Sequence, residues 1–408
     1  MSRAGRHAGV RVAVLGALLL GSGVLAAQTL TGWATLPAAT FADGPTSGRA
    51  AAPNPWGTNL PPYIDRQPVQ GFSGVLAGPR PDTFHFLVDN GFGARANSAD
   101  ALLRRYTVAI DWRTRRGGAG RVLPADRDSG RPREAFDART RITFDEAPPT
   151  GGRVNDRGRA LTGADFDPES IVRAGDGSLW LGDEFGPFLL KTDARGRLLR
   201  TPIALPGVRA PTHPEVLGGR AEANLPASGG FEGLAIAPDG SRLFAMLEQP
   251  VAGDPPGLLR ISEFDPARED WTGRHWMYPL SPQGTAIGDL VALDGLRFIV
   301  IERNSGTATT PLEPFKRLYL VELAGRAAGA TAGKTLLVDL MDIADPHDLD
   351  GDGRTRFDFP FNTVESLLVL DRRTLLVAND NNFPYGGGRR PESDATEVLR
   401  VRLDTPLW

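Results

Sequence analysis

An all-β fold is what this 408-residue sequence predicts, and three observations carry that expectation. Strand-forming residues recur in short alternating or apolar runs, such as Phe84 to Val88, Leu179 to Leu181, Phe298 to Val300 and Leu375 to Val377. The 49 Gly and 34 Pro supply the turns that many short strands need, and long helical periodicities are missing. Thirdly, one unit repeats: an acidic residue opens an apolar run, the chain turns, and a second run closes on an acid or amide.

The clearest copy runs from Glu169 through Gly175-Asp176-Gly177 to Asp183-Glu184. A second runs from Glu232 through Asp239-Gly240 to Glu248, and a third from Asp289 through Asp294-Gly295 to Glu302. The fourth runs from Glu365 through Asp371 to Asn379-Asp380, and a degenerate fifth leads from Gly71 to Val88-Asp89-Asn90. Asp-Gly between strand-forming runs marks a hairpin, which brings its opening and closing residues side by side. Further strand candidates follow each hairpin, so each repeat amounts to about four strands, the pattern of a β-propeller blade. The expected fold is therefore a β-propeller of five or six four-stranded blades. Arg115 to Gly163 stays open between a sixth blade and an exposed insertion. The last repeat offers Glu397 to Leu403 as its third strand, and Leu30 to Leu36 is expected to supply the fourth and close the ring between the two termini.

The organisation expected along the chain is a signal peptide over 1–27, an N-terminal segment over 28–70 with the ring-closing strand, and the propeller over 71–408. Arg3, Arg6 and Arg11 precede the apolar run Val12 to Ala27, and Val24-Leu25-Ala26 resembles an export cleavage site. That run is short for a membrane span, so a secreted protein, extracellular or in the periplasm or cell envelope, with no stable span after cleavage is expected. The chain has no Cys, which excludes disulfides and thiolate metal sites. A net charge of −3 without a long Arg cluster argues against nucleic acid as a partner. A monomer acting on a small-molecule ester is the expected form.

On blades, the hairpin acids converge at one mouth of the central channel. Glu169, Asp183, Glu232, Asp289, Glu302, Glu365 and Asp380 are the candidate metal ligands there, with Glu184 and Glu248 as candidate catalytic carboxylates. Like charges so close raise one another's pKa, and a hard cation with oxygen ligands, Ca²⁺ above all, would neutralise them. Arg303, Lys191, Asn381 and Asn382 are candidates for holding substrate. Asp348, Asp350 and Asp352, in Asp348-Leu349-Asp350-Gly351-Asp352-Gly353, form a possible second calcium loop, although Phe359 stands where a calcium loop of this kind ends on Glu. Nucleophile elbows, zinc-protease motifs, P-loops and dinucleotide fingerprints are absent from the sequence.

Asp167-Pro168-Glu169-Ser170-Ile171, with Asp176 to Pro187, resembles the signature of the phytase-like family, "esterase-like activity of phytase". Gly230 to Ala235, Ile287 to Leu290 and Val377 to Pro384 resemble its later segments. The resemblance implies a β-propeller and calcium-dependent hydrolysis of phosphate or carboxylate esters. It supports Glu169, Asp183, Glu232, Asp289, Glu365 and Asp380 as the functional ring without singling out a general base. A lactonase, or a non-catalytic propeller binding a cell-envelope ligand or protein, is the alternative expectation.

Overall fold

The computed structural model describes Met1, residues 28–146 and residues 158–408. The export signal read from the sequence lies outside the described residues. The chain is nearly all-β, with one short helix, α1 (Pro214–Leu217), among the described residues.

Strand β1 (Thr29–Leu36) is followed by a small antiparallel pair, β2 (Phe41–Asp43) and β3 (Arg66–Pro68). The first four-stranded unit is β4 (Phe72–Ala77), β5 (Thr83–Val88), β6 (Arg104–Asp111) and β7 (Arg121–Pro124), with β8 (Arg141–Thr143) also paired to β6. Next come β9 (Pro168–Arg173), β10 (Leu179–Asp183), β11 (Phe188–Thr192) and β12 (Ile203–Ala204). The third sheet holds β13 (Phe231–Ile236), β14 (Leu243–Leu247), β15 (Leu258–Asp265) and β16 (Asp270–Pro279). The fourth holds β17 (Ala286–Ala292), β18 (Arg297–Arg303), β19 (Lys316–Glu322) and β20 (Gly333–Asp339). A small pair, β21 (Ile343–Ala344) and β22 (Arg356–Phe357), precedes β23 (Thr363–Asp371), β24 (Thr374–Asp380) and β25 (Thr396–Arg402).

The last of these sheets is completed from the other end of the chain. β1 runs antiparallel to β25 from Thr29↔Arg402 to Leu36↔Thr396, as the sequence predicts for this segment. A single parallel bridge, Thr35↔Arg121, then joins β1 to β7, so the last sheet continues into the first. The stretch Arg115 to Gly163 thus contributes β7 and β8 to the first sheet's outer side, except for 147–157, which lie outside the described residues.

The opening strands of the sheets stand beside one another in a closed cycle: β4 meets β9, β9 meets β13, β13 meets β17, β17 meets β23, and β23 meets β4. Alternation along each strand sends apolar side chains to both faces, and the core is the set of layers between adjacent sheets. Phe244, Ile261 and Trp276 of the third sheet pack on Leu290, Phe298 and Val300 of the fourth. Ile299, Ile301 and Leu318 of the fourth pack on Leu367, Leu375 and Val377 of the last. Each such side chain contributes about 1.5–3 kcal/mol on burial, so the sheets hold one another without disulfides.

Candidate functional site

Each opening hairpin carries the same irregularity. In β9–β10 the register runs Ser170↔Gly182 and then Pro168↔Asp183, which leaves Glu169 without a partner. The same slip leaves out Glu232 in β13–β14 and Glu365 in β23–β24. In β4–β5 the extra residue is Ser73, and in β17–β18 it is Gly288. An extra residue in one strand is a β-bulge, which bends the strand and re-aims a side chain. Here it turns three glutamates toward the place where the opening strands meet. The fourth sheet has no room for a fourth glutamate, because a Cβ on Gly288 would sit 1.9 Å from the Val364 carbonyl oxygen.

Two residues before each bulge, the chain faces the residue that closes the hairpin. Glu184 N–H donates to Asp167 O at 3.0 Å, Glu248 N–H to Gly230 O at 2.9 Å, and Asp89 N–H to Gly71 O at 2.9 Å. Arg303 faces Ala286, and Asp380 faces Thr363, in the same way. The closing positions are therefore Asp89, Glu184, Glu248, Arg303 and Asp380. In the fourth sheet a guanidinium stands where the other four carry a carboxylate.

These two tiers meet in one buried cluster. Arg303 Nη2 donates to Glu232 at 3.0 Å, to Glu248 at 3.0 Å and to Glu365 at 2.9 Å. Ser73 Oγ donates to the other oxygen of Glu365 at 3.2 Å. Glu169, Glu232 and Glu365 can bring one oxygen each within 4.8 Å of one another. Asp167, Glu169 and Glu184 form a second such group, and Glu169 belongs to both. No salt bridge reaches this second group among the described residues. Asp167 accepts from Asn90, at 3.1 and 2.6 Å, and Glu184 Oε1 is buried with no hydrogen-bond partner.

Electrostatics follow from that arrangement. Burial, and then the neighbouring acids, push the carboxyls of Asp89, Glu169, Glu184 and Glu232 well above the usual range. Burial also raises Glu248 and Glu365, partly offset by Arg303. For Arg303 itself burial pulls downward, and the surrounding Glu365, Glu248 and Glu232 outweigh it and raise the guanidinium further. The nearby Lys316 ammonium is pushed down to about 6 by burial and by Arg303, and it donates to the Asn304 carbonyl rather than to an acid.

Three of the acids read from the sequence as ligands fall one residue out of step with the cluster. Asp183 accepts the amides of Asp167 at 2.8 Å and Gly186 at 3.0 Å. Asp289 accepts from Leu290 at 2.7 Å and Leu367 at 2.9 Å, which ties β17 to β23. Glu302 accepts from Tyr278 of β16, from Lys334 of β20 and from Ser281 N–H at 2.8 Å, between the third and fourth sheets. The bulges cause this: they shift the inward-facing position to 169, 232, 288 and 365, so Asp289 is not the counterpart of the glutamates. Asp380 sits at the cluster's edge, where its Oδ1 accepts Asn382 N–H at 2.9 Å, and burial raises its carboxyl to about 7. Asp89 and Asp167 are additions; their signal was the two-residue offset from the bulge residue to the hairpin's closing partner.

The candidate substrate residues divide. Arg303 lies inside the cluster, and its Nε is buried with no acceptor. Lys191 lies away from it, paired with Glu269 at 2.7 Å over the Trp180 ring. Asn381 donates to Asp394 O at 3.0 Å, and Asn382 donates to Thr363 Oγ1, so both amides shape the turn after β24. Asp348, Asp350 and Asp352 do gather within 4.8 Å, on a turn whose Asp352 already pairs with Arg354.

This is a nearly all-β protein with a carboxylate-rich centre built on register slips. Residues 67–383 match the family described as phytase-like, esterase-like activity of phytase, and the chain belongs to that family. An uncharacterized secreted protein of Arthroderma benhamiae is 30% identical over 109 residues, 22% of this chain; the chain spans 20% of that relative. Among solved structures, a GH43 β-1,3-galactosidase with galactodeoxynojirimycin superposes with a TM-score of 0.41 at 13% identity, over 88% of this chain and 95% of that one. A putative oxidoreductase (glucose dehydrogenase) from Thermus thermophilus gives 0.34 at 15% identity, over 92% and 98%. Those two likenesses are too slight to bear on chemistry.

Proposed function

We propose that the sheets are the blades of a five-bladed propeller, and that its centre is a calcium-dependent ester hydrolase site. The closed cycle of β4, β9, β13, β17 and β23 supports the blade count. One observation supports the metal: Asp167, Glu169 and Glu184 converge, buried, with no salt bridge among the described residues and with Glu184 Oε1 lacking any partner there. An all-carboxylate donor set suits a hard cation such as Ca²⁺, and Glu232 and Glu365 adjoin it through the shared Glu169. When bound, the ion would polarise a phosphoryl or acyl oxygen and favour ionisation of water.

The chain's own residues divide the remaining work. Arg303 fixes Glu232, Glu248 and Glu365 in one geometry, and its unsatisfied Nε offers a donor to an anionic oxygen of the substrate. Glu184, read from the sequence as a spare base, belongs instead to the ligand set. Glu248, like Asp89 and Asp380, lies outside both three-carboxylate groups, and the guanidinium of Arg303 holds it against Glu232 and Glu365, so it is the carboxylate assigned to take a proton from water. Family membership supports ester hydrolysis, and export is supported by the apolar run before Gln28 and by the relative named as secreted.

The burial of the whole cluster favours a second reading. Glu232 is 2% exposed and Glu365 4%, which leaves little carboxylate surface for a substrate, so the ion would serve to tie the hairpins together in a non-catalytic propeller. Turnover of phosphate esters, carboxyl esters and lactones, assayed with calcium and with EGTA, tests both. Calcium-dependent turnover lost in Glu248→Gln with the melting temperature retained supports the hydrolase. Calcium-dependent melting without turnover of any ester supports the structural ion.

A further inference from the structure

Away from the central carboxylates, one cavity is lined by the opposite charge. Glu365 and Asp380 lie at one end of the β23–β24 hairpin, and its turn, with Arg373, lies at the other. Beside that turn a cavity of about 610 Å³ runs between the start of β1 and the end of β25. Its wall includes Arg115, Arg116, Arg373, Arg400, Arg402 and His347, against one carboxylate, Asp404. Arginine makes up five of the thirteen lining residues, whereas Lys and Arg together number 46 in 408, so the enrichment is local. The acidic turn after His347 reaches the wall through Leu349, while its Asp348, Asp350 and Asp352 are not among the lining residues.

The arginines are also arranged unlike ordinary surface ion pairs. Arg373 donates to the carbonyls of Leu403 and Asp404. Arg400 donates to Thr31 O at 3.3 Å, lies over the Trp112 ring, and meets Asp82 only at 3.9 Å. Carbonyls and an aromatic face thus position two guanidiniums while barely discharging them. Arg115, Arg116 and Arg402 have no salt bridge among the described residues. Planar guanidinium forks grouped around one cavity match a tetrahedral oxyanion that can accept from several sides. The volume exceeds that of a bare ion and falls in the range of organic ligands, about 300–1,000 Å³.

We propose that this cavity binds a phosphate-bearing organic ligand, independently of the carboxylate centre. The ligand is either a soluble phosphate ester or the headgroup of an anionic lipid.

The test is calorimetric titration of the wild type and of Arg115→Ser/Arg402→Ser with glucose 6-phosphate, with glucose as neutral control. A second arm measures sedimentation with phosphatidylcholine vesicles, with and without phosphatidylglycerol. Both substitutions are at exposed side chains, so the double variant should melt with the wild type. The expected result is salt-sensitive binding in at least one arm, weakened roughly tenfold or more by the double substitution. Binding of the sugar phosphate assigns a soluble ligand, and binding of the anionic vesicles alone assigns a headgroup; each upholds the site. Binding in neither arm, or equal binding by the double variant, would overturn it.

Discussion

Replacing Arg303 by Met removes the one guanidinium that touches Glu232, Glu248 and Glu365, at 3.0, 3.0 and 2.9 Å. Methionine keeps most of the stem's packing, so the change isolates charge. Breaking a buried ion pair by removing one partner costs about 3–5 kcal/mol, because the other partner is left uncompensated. Three carboxylates share this partner, and part of the loss is relieved by protonation, so about 4 kcal/mol is a reasonable working figure. Unfolding entropy near 2.1 cal/mol/K per residue, over roughly 380 residues, gives about 800 cal/mol/K, and the expected fall is about 5 °C. The assay is a calorimetric melt at neutral pH in EGTA, repeated in excess calcium. In EGTA the variant should melt about 5 °C lower, and calcium should recover more of that loss than it adds to the wild type, since the freed carboxylates become ligands. A variant that melts with the wild type in EGTA would refute the reasoning, because Arg303 would then not be neutralising the cluster.

Calcium at a hundred times its dissociation constant should stabilise the wild type by about 2.7 kcal/mol, or about 3 °C, in the same melts. Glu169→Gln should abolish that gain, since Glu169 is shared by both three-carboxylate groups. Asp289→Asn, by contrast, should lower the melting point, because one of its two amide acceptors becomes an NH2 facing a backbone N–H, while leaving the calcium shift in place; equal loss of the shift in both variants would contradict the register argument. His85 gives a pH prediction. Burial, then Arg105 and Arg173, push its imidazole down to about 3, and Thr107 Oγ1 lies 2.9 Å from Nδ1. The folded state keeps it neutral while the unfolded chain protonates below about 6.5, so its contribution is intact above that pH and is lost as pH falls toward 3. At pH 4.5 the penalty approaches about 2.7 kcal/mol, so urea melts of His85→Gln should lose that much less than the wild type between pH 7 and pH 4.5.

Much of this architecture was legible because turn chemistry and strand alternation are local. Asp176-Gly177, Asp239-Gly240 and Asp294-Gly295 announce their hairpins, and the segment from Leu30 to Leu36 alternates as a strand awaiting a partner. The glutamates of the centre were legible too, because each opens or closes a hairpin. What the sequence hid was register. A bulge changes which of two adjacent residues faces inward, and nothing local separates Asp183 from Glu184, or Gly288 from Asp289. Pairing across the ring was equally hidden: Arg303 reads as a strand-end arginine until the third and last sheets bring Glu232, Glu248 and Glu365 to it. Lys191 looked available because its partner, Glu269, lies a sheet away.

Arg303 also explains why a repeat this regular would hold its ion off-centre. With an acid at every closing position, Asp89, Glu184, Glu248, Asp380 and the bulge glutamates would repel one another all round, and several cations would be needed. A guanidinium in the fourth sheet discharges its own side of the ring, and Gly288 removes the glutamate that would otherwise crowd it. The uncompensated charge is thereby pushed across to the second sheet, where Asp167 adds a carboxylate that the other sheets lack at the same offset: Gly71, Gly230, Ala286 and Thr363. Coulomb repulsion falls with distance, so the proposed cation would sit where carboxylates gather with no guanidinium paired to them among the described residues. Swapping the fourth sheet's solution into the second, as Glu184→Arg, should therefore satisfy Asp167 and Glu169 internally. That variant should melt at or above the wild type in EGTA and gain nothing from calcium. A calcium shift of wild-type size in Glu184→Arg would place the ion elsewhere in the ring.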